Sequence, residues 1–496
     1  MSSPAGVAEQ DVLALSDAGE LEPTFRDPAG ELRLTPLCAL RRIRAAAAEE
    51  TCAFLASPLR AALERSGDLI ASEVADSAMH PGVSAGELWL RHPRVDPIGY
   101  PWEWAPAQWR AAAELTLRIA DQAIRAGWTL KDATPLNVLF IGGRPVLVDV
   151  LSLERRDPHS SVWLAYGQFV RTFLLPLVAA KYLGWPLQNT FFHRDGYEPS
   201  ALYAALRPWQ RLHPDLLDVV TLATLFEGSS GKERKARKME RVSDPELATH
   251  LLLRRIARLA RQIRRAAPAE GHSRWSQYER TASHYSTADT DDKKQFVRAA
   301  LERARPARVL DIGANTGTYS MLAADSGAEV VALDNDAAAI ESLWRAAREH
   351  GRPVTALVAN IARPTPAAGW RNREHLSLLD RLTGKFDMVL MLAVIHHLIL
   401  REQLPLALIA EFCSTLTRRW LVIEWVPPSD PMYQEWLRGR DDLYGSLSED
   451  DLERAFAPFF HAVDRAVLGN NRVLLLLERN GADSPIHSTL AGALPA

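Results

Sequence analysis

The sequence predicts an α/β protein whose later part is an open, mostly parallel sheet and whose earlier part is a separate α+β unit. Three observations predict it. Arg308-Val309-Leu310-Asp311-Ile312-Gly313-Ala314-Asn315-Thr316-Gly317 reads as an apolar strand that ends in an acid and opens into a glycine turn. Glycine lets the backbone bend tightly there and approach a ligand closely. Strand and helix patterns then alternate to about Phe459, as parallel βαβ units do. Two apolar runs, about 461–467 and 472–478, finally flank Gly469-Asn470-Asn471, a hairpin signal.

Each element follows in turn. The glycine turn leads into a helix, Thr318 to Ser326, closed by Gly327. Glu329–Asp334 is a second strand, again ending in a carboxylate, which can accept two hydrogen bonds from the vicinal hydroxyls of a ribose. Asp336 caps a helix that runs to about His350 and stops at Gly351. Pro353–Asn360, Phe386–Ala393 and Trp420–Trp425 are the third, fourth and fifth strands. Ser448, with Asp451 three residues on, starts a helix through Phe459. The insertion Arg363–Lys385, carrying Trp370 and Glu374, exceeds a minimal connection; a pocket wall or a cover for the sheet edge are the places it suggests.

The loop chemistry discriminates between ligands. A dinucleotide fingerprint requires G-x-G-x-x-G. Here Asn315 replaces the second glycine, the spacing is G-x-x-x-G, and Asp311 precedes the first glycine by two residues. This resembles motif I of class I S-adenosylmethionine (SAM) methyltransferases. The resemblance implies a Rossmann-like, seven-stranded sheet with a terminal antiparallel hairpin over 285–480 and SAM as cofactor. It implies methyl transfer to an O or N atom of a small-molecule or glycan-like acceptor. It also implies cofactor contacts from Asp311, Gly313, Asn315 and Gly317, from Asp334 and Asn335 at the ribose, from Asn360 and Ile361 at the adenine, and from Leu392. Tyr100-Pro101-Trp102-Glu103-Trp104, Leu130 to Asn137, Ala393 to Leu398 and Ile423 to Asp430 widen the likeness: most of residues 20–480 resembles the NoeA-type nodulation proteins, which are two-part class I methyltransferases.

Methyl transfer is an in-line displacement, so the acceptor atom must be positioned and its proton removed. The groups for this belong beyond the fourth and fifth strands: His396, His397 and Glu424, with Asp430 and Arg472 as further polar contacts. Neighbouring helix residues face different ways, so only one of the two histidines is expected to act as the base. Nothing has metal-ligand spacing.

Residues 1–227 form the accessory unit. A hairpin is expected over Glu22–Leu34, turning at Asp27-Pro28-Ala29-Gly30, then helical patterns over 39–66 and a helix from about Pro106 to Ala126 stopped by Gly127. Asp132, Asn137 and Asp149, with a short hairpin between the last two, resemble the catalytic loop and metal-binding strand of protein-kinase-like phosphotransferases. That resemblance implies a base and magnesium ligands, and hence an alternative: a bifunctional enzyme holding Mg-ATP there. The sequence departs from the pattern, since Val150 follows Asp149 and no glycine-rich loop precedes it. A kinase-like scaffold without activity, or a chance Asp/Asn turn, are the plainer readings.

Residues 228–284 read as a basic connector containing a helix at 251–265. Leu252, Ile256, Leu259 and Ile263 share one face of it and arginines fill the other. The readings are an interdomain helix with a solvated basic face, or an RNA-, partner- or membrane-binding helix. The net charge of −3, and the lack of stacking aromatics beside the arginines, favour the first and weigh against nucleic acid or an anionic membrane. Trp275 to Tyr278, with His284 and Tyr285, suit a lid over the cofactor; 481–496 reads as a flexible tail.

At 496 residues the chain is too long for one ordinary core. With 47% hydrophobic and 24% charged residues it is globular rather than disordered. Three cysteines give no disulfide framework, and neither a signal peptide nor a transmembrane run is visible, so a reducing, cytoplasmic setting is expected. The oligomeric state cannot be read from the chain.

Overall fold

The computed structural model describes residues 26–35, 37–75, 86–227, 242–268, 287–437 and 447–481. Two compact units result: Met1–Ala269 with Ala368–His375, and Glu270–Ala367 with Leu376–Ala496. The expected lid at 275–285, the basic stretch Lys232 to Lys238 and the tail beyond Gly481 lie outside the described residues.

The C-terminal unit is built on a seven-stranded sheet. Its strands are β9 (Arg308–Ile312), β10 (Glu329–Asp334), β11 (Val354–Val358), β12 (Phe386–Met391), β13 (Thr417–Trp425), β14 (Phe460–Val467) and β15 (Val473–Arg479). They lie in the order β11-β10-β9-β12-β13-β15-β14. β9 to β13 run parallel, and β15 is antiparallel to both its neighbours. A parallel sheet covered by helices must be apolar on both faces. Val330–Leu333 and Met388–Met391 accordingly run buried without alternation. β9 has β10 on one side and β12 on the other, so the chain order reverses at its C-terminal end. Ligands bind open α/β sheets at such a switch point, and Gly313–Gly317 is the loop that stands there.

Local chemistry sets the helix ends. The Asp336 carboxylate accepts from the amides of Ala338 (2.9 Å) and Ala339 (3.2 Å) and caps Ala337–Glu349. Ser448 and Asp451 form the reciprocal capping box of Glu449–Phe456. β13 starts at Thr417, earlier than the apolar run suggests. A register shift between Phe386 and Met388 of β12 lets β13 carry the exposed Arg418 and Arg419 before Trp420 goes inward.

The N-terminal unit contains a four-stranded antiparallel sheet, β1 (Gly30–Leu34), β2 (Cys38–Ile43), β3 (Glu73–Val74) and β4 (Leu88–Pro93), in the order β1-β2-β4-β3. The turn at Asp27–Gly30 forms, with Ala29 N–H on the Asp27 carboxylate at 2.8 Å. The hairpin partner of Gly30–Leu34 is β2, however, and the turn between them falls after Leu34. Residues 39–43, expected as helix, are strand. Arginine favours helices when isolated, but Ile43 and Leu40 gain burial in the sheet, and tertiary packing overrides propensity. The helix Pro106–Arg125 and the hairpin β6 (Val138–Ile141) and β7 (Arg144–Leu147) appear where the patterns put them; β5 (Trp128–Leu130) pairs with β8 (Leu153–Arg155).

Two segments depart from the expected boundaries. The helix Pro245–Ala266 is part of the N-terminal unit: Leu252, Ile256, Leu259 and Ile263 are buried, and it packs along Pro106–Arg125. Ala368–His375, from the insertion, also belongs to this unit. Arg26 and Arg194 both donate to the Glu374 carboxylate, and the His375 ring lies 5.0 Å from Tyr100 and 5.5 Å from Trp102. Burial raises the Glu374 pKa, but the two arginines outweigh it and hold the carboxyl at about 2.

Candidate active site

The glycine loop is shaped by its close neighbours. Gly313 has φ 75°, and a Cβ on it would stand 2.3 Å from Val394 Cγ2. Gly317 has φ 92°, and a Cβ there would meet Leu343 Cδ1 at 2.1 Å. Both positions therefore need glycine for space as well as for backbone angle. Asn315 also adopts a positive φ, 49°, which asparagine tolerates better than most residues. The amides of Gly313 and Ala314 both donate to Leu333 O, at 2.8 and 3.0 Å. The Asp334 carboxylate accepts from Asn315 N–H and Asp336 N–H, each at 2.9 Å. Asp334 thus ties the first loop to the second, with further lone pairs left on each oxygen.

Beneath the loop Asp311 is only 2% exposed and accepts from Ser320 Oγ at 2.6 Å. Burial pushes its carboxyl up to about 6, helped by the charge of Asp334 and opposed by Ser320 and Lys293. Burial also raises Asp334. The Asn360 side chain accepts from Ala362 N–H at 2.9 Å and sets the turn after β11.

A cavity of about 410 Å3 opens over these residues. Asp311, Gly313 and Asn315 line it from the first loop, Asp334 and Asn335 from the second, and Asn360, Ile361 and Leu392 from the next two strand ends. Gly317 lies behind the wall, at the start of helix Thr318–Asp325. No residue of Arg363–Lys385 lines it, so the insertion does not shape this pocket.

His396 and His397 both face the cavity from the helix Ile395–Leu400 that follows β12, with ring centroids 4.1 Å apart. Burial, then His397, Arg472 and Lys293, hold the His396 pKa well below its ordinary value. Burial, Arg401 and Arg472 bring His397 down to about 4. Both imidazoles are therefore neutral near neutral pH, rather than titrating there as a free histidine would.

Glu424 is placed differently. It is fully buried at the end of β13 and does not line the cavity. It accepts from Lys293 Nζ at 2.5 Å and from Arg472 Nη1 at 3.4 Å. Arg472 Nε donates to Asp430 at 2.8 Å. Arg472 thus links Glu424 to Asp430 in an enclosed chain of charges. Its member on the cavity wall is Lys293, whose Nζ also lies 5.0 Å from the centre of the Tyr319 ring. Sequence reasoning missed Lys293. Its helix, Thr287–Ala304, buries Phe296, Val297, Ala300 and Leu301; that spacing was the available signal, with Lys293 three residues before Phe296 on the same face.

The residues fit a cationic nucleoside cofactor. Asn315 Oδ1 and His396 Nδ1 are buried with no hydrogen-bond partner among the described residues. Two carboxylates, Asp311 and Asp334, stand at the loops. Residues 282–459 match the family described as a methyltransferase domain. With the sheet order and the acidic loop, this makes residues 282–459 a SAM-dependent methyltransferase domain of class I type. The chain is similar over nearly its whole length to the nodulation protein NoeA of Rhizobium meliloti (strain 1021), at 27% identity over 485 residues, covering 95% of this chain and 98% of that one. Among solved structures, the magnesium protoporphyrin IX methyltransferase ChlM from Synechocystis PCC 6803 with bound SAM aligns at 18% identity, over 43% of this chain and 87% of that one, with a TM-score of 0.29. The bifunctional kinase-methyltransferase WbdD aligns at 20% identity, over 42% of each chain, with a TM-score of 0.30. No described helix is long and apolar enough to cross a membrane.

Proposed function

We propose that this methyltransferase acts on a hydroxyl of a small-molecule or glycan-like acceptor, with His396 as the proton acceptor. The observation that carries this is the buried, neutral His396 imidazole on the cavity wall, whose Nδ1 has no hydrogen-bond partner among the described residues. SAM supplies the electrophilic methyl carbon when bound. The loops after β9, β10 and β11 hold it, and Asp311 and Asp334 supply negative charge near the cation.

The depressed basicity of His396 favours oxygen over amine nitrogen. A hydroxyl becomes a strong acid as its oxygen bonds to the methyl carbon, so even a weakly basic imidazole takes its proton. A methylated amine holds its proton far more tightly, and such an imidazole would not remove it. Burial disfavours a charged ring at His396 and helps keep it a proton acceptor. Lys293 is held by Glu424, so its charge is fixed at the wall rather than free in the pocket.

The test is turnover by the full chain with SAM and a panel of hydroxylated and aminated metabolites and oligosaccharides, read by mass gain. His396→Gln should lower kcat by roughly 100-fold or more while leaving the SAM Kd near wild type. Undiminished turnover by that variant, or methylation of amines alone, rejects the proposal. The three cysteines are unpaired, which supports the cytoplasm as the proposed compartment. The arginine-rich helix Pro245–Ala266 gives no support to an RNA-binding reading. Its apolar face is buried, Arg258 pairs with Asp218, and Arg255 lies over Tyr166.

A further inference from the structure

Asp132, Asn137 and Asp149 have the spacing that serves phosphotransfer elsewhere. To hold magnesium and nucleotide, Asp149 and Asn137 must offer oxygens to the ion, and Asp132 must be free to accept a proton. The N-terminal unit uses these groups otherwise. Asp149 Oδ1 accepts from Arg41 Nη1 at 2.7 Å, and both side chains are nearly enclosed, at 12% and 15% exposure. Asp149 Oδ2 accepts from Ser152 Oγ, which in turn accepts from Asn137 Nδ2 at 3.0 Å. Asp132 Oδ1 accepts from Gln168 Nε2 at 2.6 Å, while Gln168 Oε1 accepts the Ala133 amide at 2.7 Å.

We infer that the Arg41 guanidinium stands where a divalent cation would otherwise bind Asp149, so that the N-terminal unit is a metal-free scaffold and does not transfer phosphate. Charge supports the assignment. Arg41 on β2 and His92 on β4 share one face of the sheet, and both press on the same small volume. Burial and then Arg41 bring His92 down to about 4, so His92 is neutral and the cluster holds one cation against one anion. A doubly charged ion entering beside Arg41 would meet a fixed positive charge at close range. Arg41 has a constructive role instead. It ties the four-stranded sheet to the segment after the β6–β7 hairpin, where Ile70 N–H also donates to Leu147 O at 2.9 Å.

The full chain decides this. Wild type should show no rise in melting temperature with millimolar Mg-ATP and no loss of the free Mn2+ signal in electron paramagnetic resonance. Arg41→Ala uncovers Asp149 and should take up Mn2+, and Arg41→Ala with Asp149→Asn should lose that uptake. Arg41→Met, which keeps the aliphatic stem, serves if the alanine variant does not fold. The inference is overturned if Mg-ATP stabilises wild type and Asp149→Asn abolishes the effect. It is overturned equally if a folded Arg41 variant takes up no Mn2+. If neither Arg41 variant folds, the wild-type measurement decides alone.

Discussion

Lys293→Met should destabilise the C-terminal unit more than any surface charge deletion, because of where its partner lies. Lys293 and Glu424 have side-chain exposures of 7% and 0%, and Arg472 and Asp430 of 1% each. Two cations and two anions are therefore sealed together. Removing Lys293 leaves Glu424 and Asp430 to share Arg472, whose contact with Glu424 is the longer one, at 3.4 Å. Breaking one partner out of a buried pair costs about 3–5 kcal/mol. Arg472 retains some hold on Glu424, so we take the lower end, about 3 kcal/mol, which for a unit of this size lowers Tm by roughly 6–12 °C. The double variant Lys293→Met/Glu424→Leu restores balance, because Arg472 and Asp430 remain paired at 2.8 Å. It should lie within about 1.5 kcal/mol of wild type. Differential scanning calorimetry without SAM is the assay, since it separates the transitions of two units and avoids ligand stabilisation. A single variant costing less than about 1 kcal/mol would mean that water reaches the pair, as it does in surface bridges. A double variant as poor as the sum of its singles would show that the charges are not coupled, and either result refutes the reasoning.

Two further outcomes are expected. Asp311 titrates at about 6 in the fold against 3.8 as a free side chain. Between those values the folded chain holds a proton that the unfolded chain has lost. Its contribution is thus present below the unfolded value and lost as pH rises through about 6. The depressed His396 and His397 act in the opposite sense, so the quantity to read is the difference in Tm between Asp311→Asn and wild type. That difference should favour the variant increasingly from pH 4 to pH 7; a pH-independent difference contradicts the buried titration. Gly317→Ala forces a Cβ at positive φ into Leu343 and should cost about 1–3 kcal/mol by chemical denaturation. Adding Leu343→Ala to Gly317→Ala should recover part of that cost, and no recovery would locate the strain in the backbone alone.

The sheet was legible because its strands are short apolar runs ending in acids or glycines, and each signal is local to a few residues. Asp311 to Gly317, Asp334 and the Asn470 turn speak for themselves in one dimension. β2 was not legible, since Arg41 and Arg42 look helical until Ile43 and Leu40 find their neighbours on β1 and β4. The loops that line the cavity were likewise readable, whereas the surroundings of the histidines were not, and the difference is physical. The first loop is a backbone turn whose sequence demands are strict: Gly313 and Gly317 have no room for a Cβ. The depressed basicity of His396 comes first from burial and His397, and then from Arg472 and Lys293, which are far from it in sequence. A histidine's residue type fixes its ordinary pKa, but the groups around it decide which protons it can take. The Lys293→Met/Glu424→Leu variant loses one of the nearby cations and should move the acidic limb of the pH–rate profile to higher pH even where stability is preserved; an unmoved limb assigns the depression to burial and His397.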